Sequence, residues 1–295
     1  MRIVSLLPSA TEILFGIGAG AEVVGVTHEC DFPSEARRLP QLTASALPPG
    51  DAPGDIDRHV RSSLHAGSSL YYLDSGLLES LAPDLIVTQE LCAVCAVSYE
   101  IVERAARRLR TDLRVVSLEP SCLDDVLANV TFLGELTGHA TGAADLVDAL
   151  QRRIATLRHR TAGARVRPRT LVLEWTDPPM GGGHWTPGLV ELAGGAPVLS
   201  QPGGNSQRLE WRQIEHCEPD VVVVTPCGFD LAHARDALVA LDSVPQWTGL
   251  RAYRERRIFA IDGNAYFNRP GPRLVDSAEI LARLLETSSP ITSER

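Results

Sequence analysis

Short apolar runs that close on a polar or turn-forming residue recur along the chain: "RIVSLLP", "VVGVTHE", "DLIVTQE" and "RVVSLEP", then "RTLVLEW", "PVLSQP", "DVVVVTP" and "RIFAIDG". Amphipathic helical patterns separate most of them, which predicts parallel strands joined by βα crossovers. The order also repeats. "LAPDLIVTQELC" (81–92) parallels "HCEPDVVVVTPCG" (216–228), each with Pro-Asp leading a buried strand that ends in Thr and a Cys-bearing loop. "RVVSLEP" and "RIFAIDG" finish the two halves with an acidic residue in the last loop. Such self-similarity predicts two related lobes rather than one long sheet.

Between the halves, residues 122–160 contain no Pro, and Val126, Leu133, Leu136, Leu146, Val147, Leu150, Ile154 and Leu157 keep helical spacing. "SCLD" (121–124) fits a capping start, so one long helical connection is expected. The fold class is therefore α/β, with two lobes of mainly parallel sheet, 1–121 and 165–295, joined by a bridging helical region, 122–164. Segment 43–76 carries Pro-Gly turns and a short amphipathic pattern around Ile56, Val60 and Leu64, read as a flap beside the first lobe.

Composition narrows the partners. The chain has 295 residues, a net charge of -9 and a pI near 5.4, and every basic side chain apart from histidine is Arg. An acidic surface repels nucleic acid and anionic membranes, so neither is expected as the main partner, and a small molecule is. Six cysteines are too sparse for a disulfide scaffold. No run reaches the 18 or so unbroken apolar residues of a membrane span, so no direct membrane insertion is expected. The chain as written opens on Met directly before a strand, with no leader, and the expected location is cytoplasmic.

Strand-end loops of two helix-bridged α/β lobes define a cleft, because ligands in open α/β sheets bind outside the carboxyl ends of the strands. The stretches "VSLLPSATEILFGIGAGAEVVGVTHECDFP" and "LAPDLIVTQ", the bridging helix, and "AIDGNAYFNRPGPRLVDSAEILARLL" resemble the helix-bridged (class III) substrate-binding proteins of vitamin B12 and iron-siderophore ABC transporters. The resemblance covers residues 2–287 and is nearest the cobalamin-binding branch, in a cytoplasmic-looking subset. It implies a cobalamin-like corrinoid held between two lobes with little hinge motion. The absence of an export signal or lipobox Cys in the chain as written makes docking onto a periplasmic permease doubtful.

The residues themselves offer several chemistries. Ser9 and Glu12 of "PSATE" fit a capping box at the first helix. "THECD" places His28 and Glu29 at a strand end that shares a predicted rim with Gln89, Glu90, Cys92 and Cys95. His28 is a candidate ligand to a corrinoid cobalt or, with Cys92 and Cys95, to zinc, iron or cobalt. Those two cysteines form the sole C-x-x-C of the chain, ahead of a helix that would favour thiolate. A metal or cofactor role, redox chemistry and plain packing all stay open for them. In the second lobe "EWTDPPMGGGHWTPG" gathers Trp175, three glycines, His184 and Trp185 into an expected single loop, its glycines letting backbone approach a ligand. Asp262, Tyr266 and Asn268 lie at the last predicted strand end, with Arg269 beside them and Trp211 in a further loop.

No G-x-S-x-G, H-E-x-x-H or Walker A pattern is present, which favours a binding protein over a catalyst. The alternative is a metal-dependent enzyme or metallochaperone built on the same fold around His28, Cys92 and Cys95. An iron-siderophore or haem binder is a third reading; acidic lobes without an Arg-rich cleft fit it less well.

Overall fold

A computed structural model describes residues 1–47, 52–65, 70–89, 102–103, 105–106, 113–163 and 166–286. The chain divides into two compact units, one built mainly from residues 1–51, 58–120 and 124–149, the other mainly from 150–295.

In the first unit, β1 (Ile3–Ser5), β2 (Val23–Val26), β5 (Leu85–Thr88) and β6 (Arg114–Ser117) form an all-parallel sheet in the order β2-β1-β5-β6. Ile3, Leu85 and Val87 pack into one hydrophobic cluster, and Val4 and Ile86 into another, so both faces of the sheet are covered. That is why these strands read as continuous apolar runs rather than alternating ones. Burying each such aliphatic side chain stabilises by about 1.5–3 kcal/mol. A separate antiparallel pair, β3 (Thr43–Ser45) with β4 (Tyr71–Leu73), occupies the segment read as a flap. The expected helix is present there as α2 (Pro53–His65).

Helix α1 (Pro8–Gly16) follows β1 directly, and its start differs from the expected capping box. Leu7 is the N-cap residue and Pro8 opens the helix, so Ser9 already lies inside the first turn and caps nothing. Proline's fixed φ and missing N–H make it a natural first residue, and its position overrides the Ser-x-x-Glu pattern. Helix α3 (Ser75–Leu81) is capped by Asp74, whose Oδ1 accepts from Leu77 N at 2.8 Å.

The connecting stretch is two helices, α4 (Leu123–Thr137) and α5 (Ala140–Thr161), not one. Gly138 adopts φ +79°, and His139 N donates back to Gly134 O at 2.8 Å, closing α4 with a left-handed glycine turn. The turn folds α5 back closely. A Cβ at Gly134 would sit 2.3 Å from that of Ala143, and one at Gly142 would sit 2.1 Å from Ile17 O.

The second unit holds β7 (Arg169–Thr176), β8 (Pro179–Gly181), β9 (Ala196–Pro197), β10 (Gln207–Arg208), β11 (Val221–Val224) and β12 (Ile258–Ala260). Their order is β10-β8-β7-β11-β12, with β9 also pairing β7. β7, β11 and β12 are parallel, whereas β8 and β10 add an antiparallel edge that the repeat did not predict. Around them stand α6 (Thr186–Leu192), α7 (Trp211–Cys217), α8 (Leu231–Ala240) and α9 (Leu274–Glu286). Among the described residues no helix is long and apolar enough to cross a membrane.

The repeat seen in the sequence holds down to single hydrogen bonds. α3 and α7 each end on a left-handed residue, Ala82 (φ 41°) and Glu218 (φ 44°), followed by Pro-Asp and a strand. Asp84 Oδ2 accepts from Arg2 N at 2.9 Å, and Asp220 Oδ2 accepts from Arg169 N at 2.7 Å. The same two arginines donate from Nε to the helix-end carbonyls of Leu81 (2.8 Å) and Cys217 (3.1 Å). Each unit thus ties the amino end of its central strand to the following strand and the preceding helix by one arrangement.

Candidate functional site

All four strands of the first sheet run the same way, so their carboxyl ends share one edge, where backbone groups are no longer spent on the ladder. Thr27 and His28 leave that edge from β2, and Thr88 and Gln89 leave it from β5. His28 is held by Thr43 of β3. Its main-chain N–H donates to Thr43 Oγ1 at 3.1 Å, its Nδ1 lies 2.7 Å from the same oxygen, and Thr27 Oγ1 is 2.7 Å from it as well. The Tyr71 ring of β4 stands 5.8 Å from the imidazole at 49°, and Glu29 Oε1 lies 3.9 Å from Nε2. His28 is thus positioned by two threonines, a tyrosine and an acidic neighbour, and it stays partly exposed.

Three polar atoms near this edge are buried without a hydrogen-bond partner among the described residues: Ser9 Oγ, Thr88 Oγ1 and Gln89 Oε1. The ends of β1 and β5 adjoin here, because Leu6 N donates to Val87 O at 2.8 Å as β1 turns into α1. Buried polar groups are normally bonded, so such atoms mark where a bound group would be most rewarded. Cys30 takes no part. It is buried in the hydrophobic core with its Sγ 3.0 Å from Thr11 Oγ1. Glu90, Cys92 and Cys95 lie outside the described residues.

In the second unit β7 ends on Trp175 and Thr176, β11 is followed directly by Thr225, and β12 leads through Ile261 to Asp262. Trp175 is half-buried, meets the Phe229 ring edge-on at 5.4 Å and donates from Nε1 to Asp177 O at 3.0 Å. Phe229 in turn meets the His233 ring at 5.9 Å, giving an aromatic row at this edge. Asp230 caps α8, and bonds from His233 N and the His233 ring hold its carboxyl below the usual range. Thr225 Oγ1 is fully buried and unpartnered among the described residues, matching Thr88 in the first unit.

The remaining candidates are largely bonded to their own chain. Asn268 spans two main-chain carbonyls, donating from Nδ2 to Thr225 O (2.9 Å) and Gly263 O (3.1 Å). Asp262 Oδ1 accepts from Ala265 N at 2.7 Å, fixing the turn after β12. Tyr266 has Arg273 over its ring at 5.9 Å, and Arg269 is buried with Nη2 on Asn264 Oδ1. Thr43 is the residue that sequence patterning missed, since it belongs to no motif and only the pairing of distant segments reveals it.

The stretch 174–185 is not one loop. β7 turns at Asp177–Pro178 into β8, which runs back along it, and Gly182 N donates to Val172 O. Trp175 and His184 therefore do not share a strand end. The glycines serve the chain rather than a ligand. A Cβ at Gly181 would lie 2.5 Å from Leu199 O, one at Gly182 2.7 Å from the Thr186 side chain, and one at Gly183 2.4 Å from Ser206 N. His184, at φ 50°, stacks on Trp185 at 5.5 Å, its Nδ1 is buried, and burial lowers its pKa below the ordinary histidine value. Trp185 is 8% exposed and donates to Phe267 O at 2.6 Å. Among the described residues no three His, Cys, Asp or Glu side chains converge to hold a metal ion. Each edge, taken by itself, pairs polar groups with aromatic ones: hydroxyl, amide and imidazole groups near Tyr71 in the first unit, and a buried hydroxyl with the Trp175–Phe229 row in the second.

Comparison with known proteins places this architecture. A family model described as periplasmic binding protein matches residues 3–265. The chain is 23% identical over 291 residues to an uncharacterized ABC transporter substrate-binding lipoprotein, YvrC, of Bacillus subtilis, covering 95% of this chain and 78% of that one. It is 20% identical over 288 residues to the vitamin B12-binding protein of Vibrio cholerae, covering 97% and 89%. Among solved structures, the Vibrio cholerae vitamin B12 binding protein BtuF superposes with a TM-score of 0.70 at 20% identity, over 97% of this chain and 96% of that one. The heme-binding protein RhuT from Roseiflexus sp. RS-1 does so with a TM-score of 0.70 at 23% identity, over 96% and 97%.

Proposed function

The chain belongs to the periplasmic binding protein family, the solute-binding components of ABC transporters, and we propose that its ligand is a corrinoid of the cobalamin type. The observation that carries this reading is the chemistry of the strand-end edges. In the first unit Ser9, Thr88 and Gln89 hold buried hydroxyl and amide atoms with no partner among the described residues, and in the second, taken by itself, Thr225 does so at the edge that carries the aromatic row Trp175–Phe229. A corrinoid offers a flat apolar macrocycle fringed with carboxamides, which both donate and accept hydrogen bonds. Aromatic faces take the macrocycle, and polar groups of both kinds take the fringe. Haem has a similar plane but carboxylate edges. A chain of net charge -9 gives those edges weaker electrostatic encouragement. The vitamin B12-binding relatives, aligned along nearly the whole chain, point the same way.

The test is an absorbance titration of cyanocobalamin into the purified protein, with tryptophan emission followed in parallel. One corrinoid per chain, with Trp175→Ala weakening it by about tenfold, the scale of one lost aromatic contact, supports the reading. A cytoplasmic site of action belongs to the same proposal. Recovery of the native protein in the cytosolic fraction supports it, and recovery in the periplasmic or membrane fraction contradicts it.

A further inference from the structure

We infer that His28 faces the ligand as a hydrogen-bond donor through Nε2–H, and that the group it meets is the carbonyl oxygen of a carboxamide rather than a metal ion or a carboxylate. The ligand half of this inference rests on the corrinoid reading above; the tautomer half does not. Counting protons around Thr43 Oγ1 carries the argument. Three groups contact that oxygen: the His28 main-chain N–H at 3.1 Å, Thr27 Oγ1 at 2.7 Å and His28 Nδ1 at 2.7 Å. The N–H can only donate, so it takes one lone pair. Two hydroxyl protons, on Thr27 and Thr43, then need acceptors, and both residues are buried, at 6% and 7% exposure.

If Nδ1 carried the imidazole proton, it would take the second lone pair of Thr43. Only one hydroxyl proton fits between the two threonines, and the other would be left without an acceptor among the described residues. With Nδ1 bare, Thr27 donates to Thr43, Thr43 donates to Nδ1, and every proton is accepted. An orphaned buried donor is penalised far more than a satisfied one is rewarded, so the second arrangement dominates. The ring proton therefore sits on Nε2, where Glu29 Oε1 at 3.9 Å also favours it. A protonated Nε2 has no lone pair to give to cobalt, iron or zinc. The Glu29 carboxylate repels a second carboxylate and tolerates an uncharged carbonyl, which selects against propionate-edged ligands.

Two measurements test this. In the ¹⁵N-labelled protein, with the His28 signals identified by their loss in His28→Gln, Nδ1 is expected as the pyridine-type nitrogen and Nε2 as the pyrrole-type one. Thr43→Val should shift the ring toward a mixture of tautomers. A pyrrole-type Nδ1 in the wild-type protein overturns the tautomer. Cyanocobalamin and hemin are then titrated separately into wild type, His28→Gln, His28→Phe and Glu29→Gln. His28→Gln, which keeps an N–H donor, should bind cyanocobalamin within about threefold of wild type, and His28→Phe about tenfold more weakly. Glu29→Gln should tighten hemin relative to cyanocobalamin. Equal affinity of wild type and His28→Phe overturns the donor role, and hemin binding that ignores Glu29 overturns the preference for a carboxamide over a carboxylate. Wild-type protein that takes up no corrinoid sinks the proposed function itself, while the ¹⁵N result stands or falls separately.

Discussion

At Thr225 a fully buried hydroxyl directly follows β11 of the second unit with no partner among the described residues, and Thr88 at the end of β5 is in the same position in the first. Such an atom is costly in the empty protein, since it has left water and gained nothing. Replacing it by an isosteric methyl removes that cost. Thr225→Val is expected to raise stability by about 1 kcal/mol in the ligand-free protein, read as an upward shift of the urea midpoint. The same variant should lose corrinoid affinity if the hydroxyl serves the ligand. A drop in ligand-free stability would show that the hydroxyl is satisfied after all. Site chemistry at this scale was only partly legible in the sequence. His28 stood out as a polar residue at a strand end, but its partner Thr43 lies 15 residues away on another sheet, and no local pattern joins them. Trp175 and His184 looked like one loop because a tight Asp-Pro turn and a three-residue strand leave too little periodicity to be recognised.

Elements were read more successfully, and for a physical reason. Strands buried on both faces announce themselves as unbroken Val, Ile and Leu runs, and the doubled Pro-Asp motif marked two equivalent positions that the structure equips with the same arginine clamp. Asp84→Ala is expected to cost about 1 kcal/mol, discounted for partial exposure, with a similar loss at Asp220→Ala, where Arg251 also pairs with the carboxylate. Thermal unfolding of the two variants checks the equivalence, and an unchanged melting temperature in either would deny that the clamp matters. The single connecting helix was a misreading of a signal that was present. Leucine and valine spacing continues across Gly138, but a glycine free to take φ +79° allows the chain to turn back. Gly138→Ala should cost about 1–2 kcal/mol by forcing a side chain into the left-handed region. Gly142→Ala should cost more, because its new methyl meets the Ile17 carbonyl, and equal denaturation midpoints would contradict that ranking.

For the molecule as a whole, acidity is a designed-in burden that a few ion pairs relieve. Arg153 of α5 pairs with Glu279 at 2.9 Å and with Asp276, both on α9. The Arg153 hydrogen bond holds the Glu279 carboxyl below its ordinary range, against the opposing effect of burial. A carboxyl depressed in the folded state contributes stability that is complete above its unfolded pKa of about 4, and is lost as pH falls through the lower folded value. Arg153→Met should therefore lower the melting temperature by roughly 2 °C near neutrality, and the difference from wild type should shrink on acidification through this window. A difference that stays constant down to strongly acidic pH would show that Arg153 acts through packing alone.

The central claim is that this acidic, two-unit binding protein holds a corrinoid. Isothermal calorimetry of cyanocobalamin against hemin tests it most directly. The account predicts saturable uptake of one cyanocobalamin per chain, with hemin bound more weakly. Tight stoichiometric hemin binding with no heat from cyanocobalamin would contradict it.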